Sequence, residues 1–181
     1  MRVIGGKFRS RRLKTLSGLH VRPTPDRLRE TLFNVLAPEI EATVFLDAYA
    51  GSGAVAIEAL SRGARHAILF ERNPAAVAII RENLDSLKIG GEATVVRGNA
   101  LTLIARHQAD IVFVDPPYAQ ERDYQAVLEA LCQMPVRLGV AQHDSHLTLP
   151  ESIGTLHRTR VIRQGSNSLS FYRPASRRET L

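Results

Sequence analysis

The chain lacks tryptophan, has a single cysteine, and is poor in aromatic residues, which make up 6% of its 181 residues. One cysteine, Cys132, cannot form a bridge within the chain, so a disulfide scaffold is excluded and stability has to come from a packed core. No apolar run approaches the ~20 residues that a membrane-spanning helix needs. The opening Met1-Arg2-Val3-Ile4-Gly5-Gly6-Lys7 has no apolar stretch of the kind that forms the core of a secretory signal. A cytoplasmic protein without a membrane partner is therefore expected. What remains is ordinary globular composition, 44% hydrophobic and 23% charged. The length suits one domain that buries roughly 70% of the surface of its unfolded chain. Cys132 follows Val127, Leu128 and Leu131 in a helical pattern and reads as a packing residue.

The net charge of +6 is unevenly placed. Residues 1–30 hold nine Lys/Arg against two Asp/Glu, and residues 157–181 hold six against one, whereas 31–156 hold nine against fifteen. Basic ends on a mildly acidic centre suit a catalytic core flanked by segments that meet a polyanion, because neutralised phosphates release counterions. Solubility alone would also account for such runs.

Residues 1–22 are short, basic and broken by Gly5-Gly6, with Val3, Ile4, Phe8 and Leu13 spaced as in a small hairpin, which predicts an appended arm ahead of one domain over 23–181. Thr24-Pro25-Asp26 then predicts a helix start, with Thr24 as cap and Leu28, Leu32, Val35 and Leu36 as the buried stripe. From residue 43, strands at 44–48, 67–71, 93–97 and 109–114 alternate with helices at about 53–62, 74–87, 101–106 and 122–133. Three further strand-like runs follow residue 135, and the last two, 155–163 and 167–173, read as a hairpin turning at Gly165-Ser166. The expected fold is a doubly wound, Rossmann-like α/β domain: a mostly parallel seven-stranded sheet, an antiparallel carboxyl-terminal hairpin and a short basic amino-terminal β-hairpin.

In such a sheet, ligands sit at the carboxyl ends of the strands, where glycines admit a close approach and a helix start offers free N–H groups. Asp47 runs into Ala48-Tyr49-Ala50-Gly51-Ser52-Gly53 and a helix follows at once. Glu71, ending the next strand, can accept from ribose hydroxyls, and Asn99, with Ala100 behind it, can meet an adenine edge after the third strand. The same glycines satisfy the dinucleotide pattern G-x-G-x-x-G/A, so an NAD(P)-dependent oxidoreductase competes with a methyltransferase at this point.

The fourth strand ends in Asp115-Pro116-Pro117-Tyr118. Two prolines remove two backbone donors and fix the chain, which leaves the Asp115 carboxylate and the Pro116 carbonyl as outward acceptors. Such a pair can grip an –NH₂ group. An exocyclic amine is a poor nucleophile because its lone pair is delocalised into the base, so two rigid acceptors beside a methyl sulfonium would supply orientation and electrostatic help. Tyr118 would stack on a base that has left its helix.

Asp115-Pro116-Pro117-Tyr118 resembles the motif of amino-methyltransferases, and Asp47 through Gly53 resembles their cofactor motif. Arg2 to Leu13, Arg22 to Asn34, Glu58 to Ala64 and the closing Leu169-Ser170-Phe171-Tyr172 resemble the RsmD family, bacterial methyltransferases acting on guanine N2 in small-subunit (16S) ribosomal RNA. That resemblance implies a class I methyltransferase fold using S-adenosylmethionine. It implies cofactor contacts from Asp47, Ala50, Gly51, Ser52, Gly53, Glu71, Asn99 and Ala100, and target contacts from Asp115, Pro116, Pro117 and Tyr118.

A monomer is expected, acting on ribosomal RNA in an assembled or assembling 30S particle. Lys7, Arg9, Arg11 and Arg12, with Arg22, Arg27 and Arg29, are the candidate RNA contacts. The nearest rival is an adenine-N6 methyltransferase acting on DNA, which generally needs a target-recognition segment for which there is little room. His143 and His146, beside Asp144, lack a clear third ligand and read as surface loop residues, so no metal is expected. A carbon-directed cytosine methyltransferase would need a cysteine at the pocket, and Cys132 is misplaced for that.

Overall fold

The computed structural model describes residues 1–16, 24–117 and 121–175, so Arg22 and Tyr118 lie outside the described residues. Five parallel strands form the centre: β1 (Val44–Asp47), β2 (His66–Glu71), β3 (Ala93–Arg97), β4 (Ile111–Val114) and β5 (Leu138–Asp144). β6 (Ser152–Ile153), β7 (Leu156–Gln164) and β8 (Asn167–Pro174) extend the sheet in the antiparallel sense, giving the order β3-β2-β1-β4-β5-β8-β7-β6. The sheet thus has one strand more than the seven expected; β6 is a two-residue edge piece paired to β7, too short to carry a period in the sequence.

The helices are α1 (Asp26–Leu36), α2 (Ala54–Ser61), α3 (Pro74–Ser86), the single turn α4 (Ala100–Leu103) and α5 (Glu121–Leu131). They cover both sheet faces, as parallel strands require. Successive residues of one strand accordingly divide between layers. Leu46, Phe70, Val112 and Val114 pack in one layer with Tyr124, Val127 and Leu128 of α5. Phe45, Ile111 and Phe113 pack in the opposite one with Leu28, Leu32, Phe33 and Leu36 of α1. Because β1 pairs with β2 on one side and β4 on the other, the strand order reverses between β1 and β4, and the crevice at their carboxyl ends is where an open α/β sheet receives its ligand.

The amino-terminal segment departs from a regular hairpin. Val3 N–H donates to the Arg11 carbonyl at 3.0 Å and Leu13 N–H to that of Met1 at 3.0 Å, but among its described residues the only bridge is Arg2 with Arg12, and Gly6–Phe8 forms a 3-10 turn. A ladder cannot extend because α2 takes the backbone donors: the Glu58 carboxylate accepts from Ile4 N–H and Gly5 N–H, each at 2.8 Å. Ser61 Oγ accepts from Phe8 N–H at 2.8 Å. Val3 and Leu13 are buried against Ile57 and Leu60. The segment's described residues, 1–16, form a loop docked on α2 and α3.

Two local expectations also change. Pro25, with no side-chain cap, precedes α1, and Thr24 is turned to another use described below. His143 is not a loop residue but a buried member of β5; only His146 lies exposed in the loop that follows.

Candidate functional site

The turn between β1 and α2 is held open by its glycines. Gly51 and Gly53 have φ of 55° and 80°, in the left-handed region that favours glycine. At Gly53 a Cβ would come within 3.2 Å of Leu69, so the missing side chain lets the helix start pack on β2. At Gly51 a Cβ would meet nothing within 4 Å; that side of the turn faces empty space, as a cradle for a ligand must. Gly53, the residue before α2, has no side chain to cap it, so the first N–H groups of the helix depend on something else.

Asp47 is part of that something. Its carboxylate lies beneath the turn, 1% exposed, and accepts from the N–H groups of Tyr49, at 3.3 Å, and of Ala56 in the first turn of α2. Asp47 shapes the turn from below rather than lining its open side. Burial, against those two donors, pushes its carboxyl up to about 7, and Glu71 nearby adds to the rise.

Asp115 stands on the neighbouring column. Asp47 is in register with Phe113, so Asp115 emerges two residues beyond that level, close enough for the Asp47 charge to act on it. Burial first, and then the Asp47 charge, raise Asp115 to about 8; a hydrogen bond from the Thr24 hydroxyl opposes them. This is the use to which Thr24 is put: it is buried at the entrance to α1 and ties that helix to the end of β4. Pro116 is buried and Pro117 exposed.

Glu71 ends β2 with both oxygens engaged, one accepting from Gly51 N–H at 2.9 Å and the other from Asn73 N–H at 2.8 Å. A carboxylate has about four acceptor positions, so two remain for ribose hydroxyls. Asn99 uses its Oδ1 to cap α4, accepting from Leu101 N–H at 3.0 Å, which leaves its amide N–H₂ for a ligand; Ala100 behind it is buried.

Sequence reasoning missed two residues of this neighbourhood. Tyr49 donates from its hydroxyl to Asp123 at 3.0 Å, joining the β1–α2 turn to α5. Asn83, buried in α3, donates to the carbonyls of Ser52 and Lys14, both at 3.0 Å, and accepts from Lys14 N–H at 2.8 Å, so the docked loop and the turn share one anchor. Asn83 was detectable as a polar residue inside an apolar helical stripe; nothing in the sequence distinguished Tyr49.

Of the candidate RNA contacts, Lys7, Arg9, Arg11, Arg12 and Arg27 are exposed. Lys7 lies over the Phe8 ring, and Arg11 reaches the Ser86 carbonyl at 3.2 Å. Arg29 is a correction. It is fully buried, donates to the Arg2 carbonyl and to Asp26, and lies 3.9 Å from the buried Glu58 carboxylate, so it fastens the docked loop to α1 and α2 and has no surface to offer a nucleic acid.

The family model described as "Conserved hypothetical protein 95" matches residues 1–173. "Ribosomal RNA small subunit methyltransferase D" of Escherichia coli K12 is 48% identical over 120 residues, which cover 65% of this chain and 60% of that relative. The protein of the same name from Haemophilus influenzae is 38% identical over 138 residues, covering 74% and 71%. Among solved structures, a hypothetical protein from a Thermus species superposes with a TM-score of 0.80 at 32% identity, over 94% of this chain and 98% of that one.

Proposed function

The chain belongs to the RsmD family, whose model carries the description "Conserved hypothetical protein 95", and from that premise we propose that it methylates the exocyclic N2 amine of a guanine in small-subunit ribosomal RNA. It is a methyltransferase, and S-adenosylmethionine is its cofactor. That cofactor sets aside the nicotinamide alternative. The observation carrying the finer reading is the register of β1 with β4, which stands Asp115-Pro116-Pro117 beside the glycine turn.

The residues present fit the cofactor: the open side of Gly51, the start of α2 behind Gly53, the spare acceptor positions of Glu71 and the free amide of Asn99. Ala50, Ser52, Gly53 and Ala100 shape the same cradle, with Asp47 beneath it. S-adenosylmethionine supplies a methyl group made electrophilic by its sulfonium. The chain supplies the rest. Asp115, positioned by Thr24, accepts from the amine and opposes the positive charge that grows on nitrogen; the Pro116 carbonyl is the second acceptor, and Tyr118 stacks on the base. Lys7, Arg9, Arg11, Arg12 and Arg27 hold backbone phosphates, with Arg22 as a further contact. We read the protein as a cytoplasmic monomer acting on assembled or assembling 30S particles; no helix among the described residues is long and apolar enough to cross a membrane.

The test is transfer of labelled methyl to small-subunit particles lacking the modification, followed by nucleoside mapping. N2-methylguanosine is expected. Label on adenine or in DNA would overturn the substrate.

A further inference from the structure

A second polar site lies outside the cofactor crevice. A groove of about 430 Å³ opens on the α5 side of the sheet, over β5, β8 and β7, where the loop after β5 folds across it. Its floor is a row set by strand register: His143 pairs with Ser168 across β5 and β8, and Ser168 pairs with Arg163 across β8 and β7. The next row pairs Ser170 with Val161.

A β-bulge composes the groove's wall. Tyr172, Ser170 and Ser168 are two apart on β8 and share one face, and their partners on β7 are Arg158, Val161 and Arg163. In a regular strand, Arg158 and Arg163, five residues apart, would point to opposite faces. The register shift between Arg158 and Arg160 rephases the strand so that both arginines face the groove while Arg160, paired with Phe171, faces the other way. Re-aiming a side chain beside an active site is a recurrent use of bulges.

The groove's groups suit an anion. Arg158 is anchored, donating to the Leu149 carbonyl at 2.7 Å. Arg163 is exposed and, among the described residues, enters no hydrogen bond or ion pair. Burial lowers the His143 pKa and so favours the neutral ring, which donates from Nδ1 to the Asp144 carbonyl at 2.8 Å and has Nε2 2.9 Å from the Ser170 hydroxyl. The Ser168 hydroxyl, in a residue 1% exposed under the same floor, meets no hydrogen-bond partner among the described residues. An unpartnered buried hydroxyl in a native fold asks for an explanation, and an acceptor arriving with a ligand is one. Val161, 40% exposed, is an apolar ledge between the arginines.

We propose that this groove binds a backbone phosphate of the substrate RNA, held by Arg163 and Arg158 with its ribose against Val161, a few nucleotides from the base presented to Asp115. Val114, the last residue of β4, is in register with Ala141, two residues before His143, so the row from the end of β4 through His143 and Ser168 to Arg163 crosses the sheet at about one level. Three strand spacings separate its ends, roughly 14 Å. The site therefore takes the same strand that enters the crevice, on the side away from the docked amino-terminal loop. This inference rests on the proposed action on RNA.

The test compares Arg163→Glu, Arg163→Lys and Arg163→Ala with Arg160→Glu, the charge-matched change on the opposite face. Methyl transfer to small-subunit particles is measured across a salt series, and cofactor affinity is measured by calorimetry without RNA. Arg163→Glu should raise KM for the particle about tenfold with kcat held within about twofold, and Arg163→Ala should lower the salt slope of log KM by about 1. Arg163→Lys should recover most of the loss, cofactor affinity should not move, and Arg160→Glu should change KM far less. An unchanged KM in Arg163→Glu, or an equal effect from Arg160→Glu, overturns the groove while leaving the proposed function intact. A wild-type protein that transfers no methyl to RNA overturns both.

Discussion

Replacing Asp115 by Asn should abolish methyl transfer and stabilise the fold. Free Asp ionises near 3.8, whereas in the folded chain burial and the Asp47 charge hold the Asp115 proton until about pH 8. Between those values the unfolded chain has released a proton that the folded one still binds, so stability falls as pH rises through that window. One pKa unit corresponds to about 1.4 kcal/mol, which sets a ceiling of roughly 6 kcal/mol at pH 8. Asn keeps the cost of burying a polar group, and Asp115 is partly reached by water, so the measurable gain is about 2 kcal/mol. For a chain of this size that is a rise of roughly 4–8 °C in Tm. Thermal unfolding followed by circular dichroism from pH 4 to 9, without cofactor, reads it directly. The advantage of Asp115→Asn should be near zero at pH 4, grow with pH and level off above about 8. A variant that is less stable than wild type at pH 8, or an advantage independent of pH, would refute the account of a carboxyl kept at the expense of stability.

The same titration predicts activity: kcat/KM for RNA should climb from pH 6 towards a plateau above about 8 as Asp115 ionises, and a flat profile in a pH-rate measurement would remove the carboxylate from the reacting step. Gly53→Ala combines a left-handed φ with a Cβ 3.2 Å from Leu69, so calorimetry should show cofactor affinity reduced at least tenfold, with a stability loss of about 1–2 kcal/mol by denaturant titration. Glu58→Gln leaves Arg29 buried without its full counter-charge and should cost about 3 kcal/mol or more by the same titration, while the double change Glu58→Gln with Arg29→Met should recover part of that loss.

The parts of this molecule that sequence disclosed are those written in a period or in backbone chemistry. Alternating apolar runs announced the parallel strands, and Gly51, Gly53, Pro116 and Pro117 marked the two strand ends because only such residues make those turns. Bulges are different. An alternating pattern puts Arg158 and Arg160 on one face, and only the paired strand reveals the extra residue that separates them. Arg29 is the more instructive case, because its place was legible and its charge hid it. Arg29, Leu32, Phe33 and Leu36 follow i, i+3, i+4, i+7, the spacing of a buried stripe, so the periodicity of α1 sends the guanidinium inward whatever its usual preference. Glu58 poses the same puzzle in α2, whose other residues are all apolar or small. A buried charge needs an opposite one. These two charges of opposite sign, each on an apolar helix face, meet at 3.9 Å, and each has a nearer counter-charge besides: Asp26 at 3.0 Å from Arg29 and Arg62 at 2.8 Å from Glu58. Position on the stripe, not residue type, decides whether an arginine in a basic segment meets a phosphate or the core.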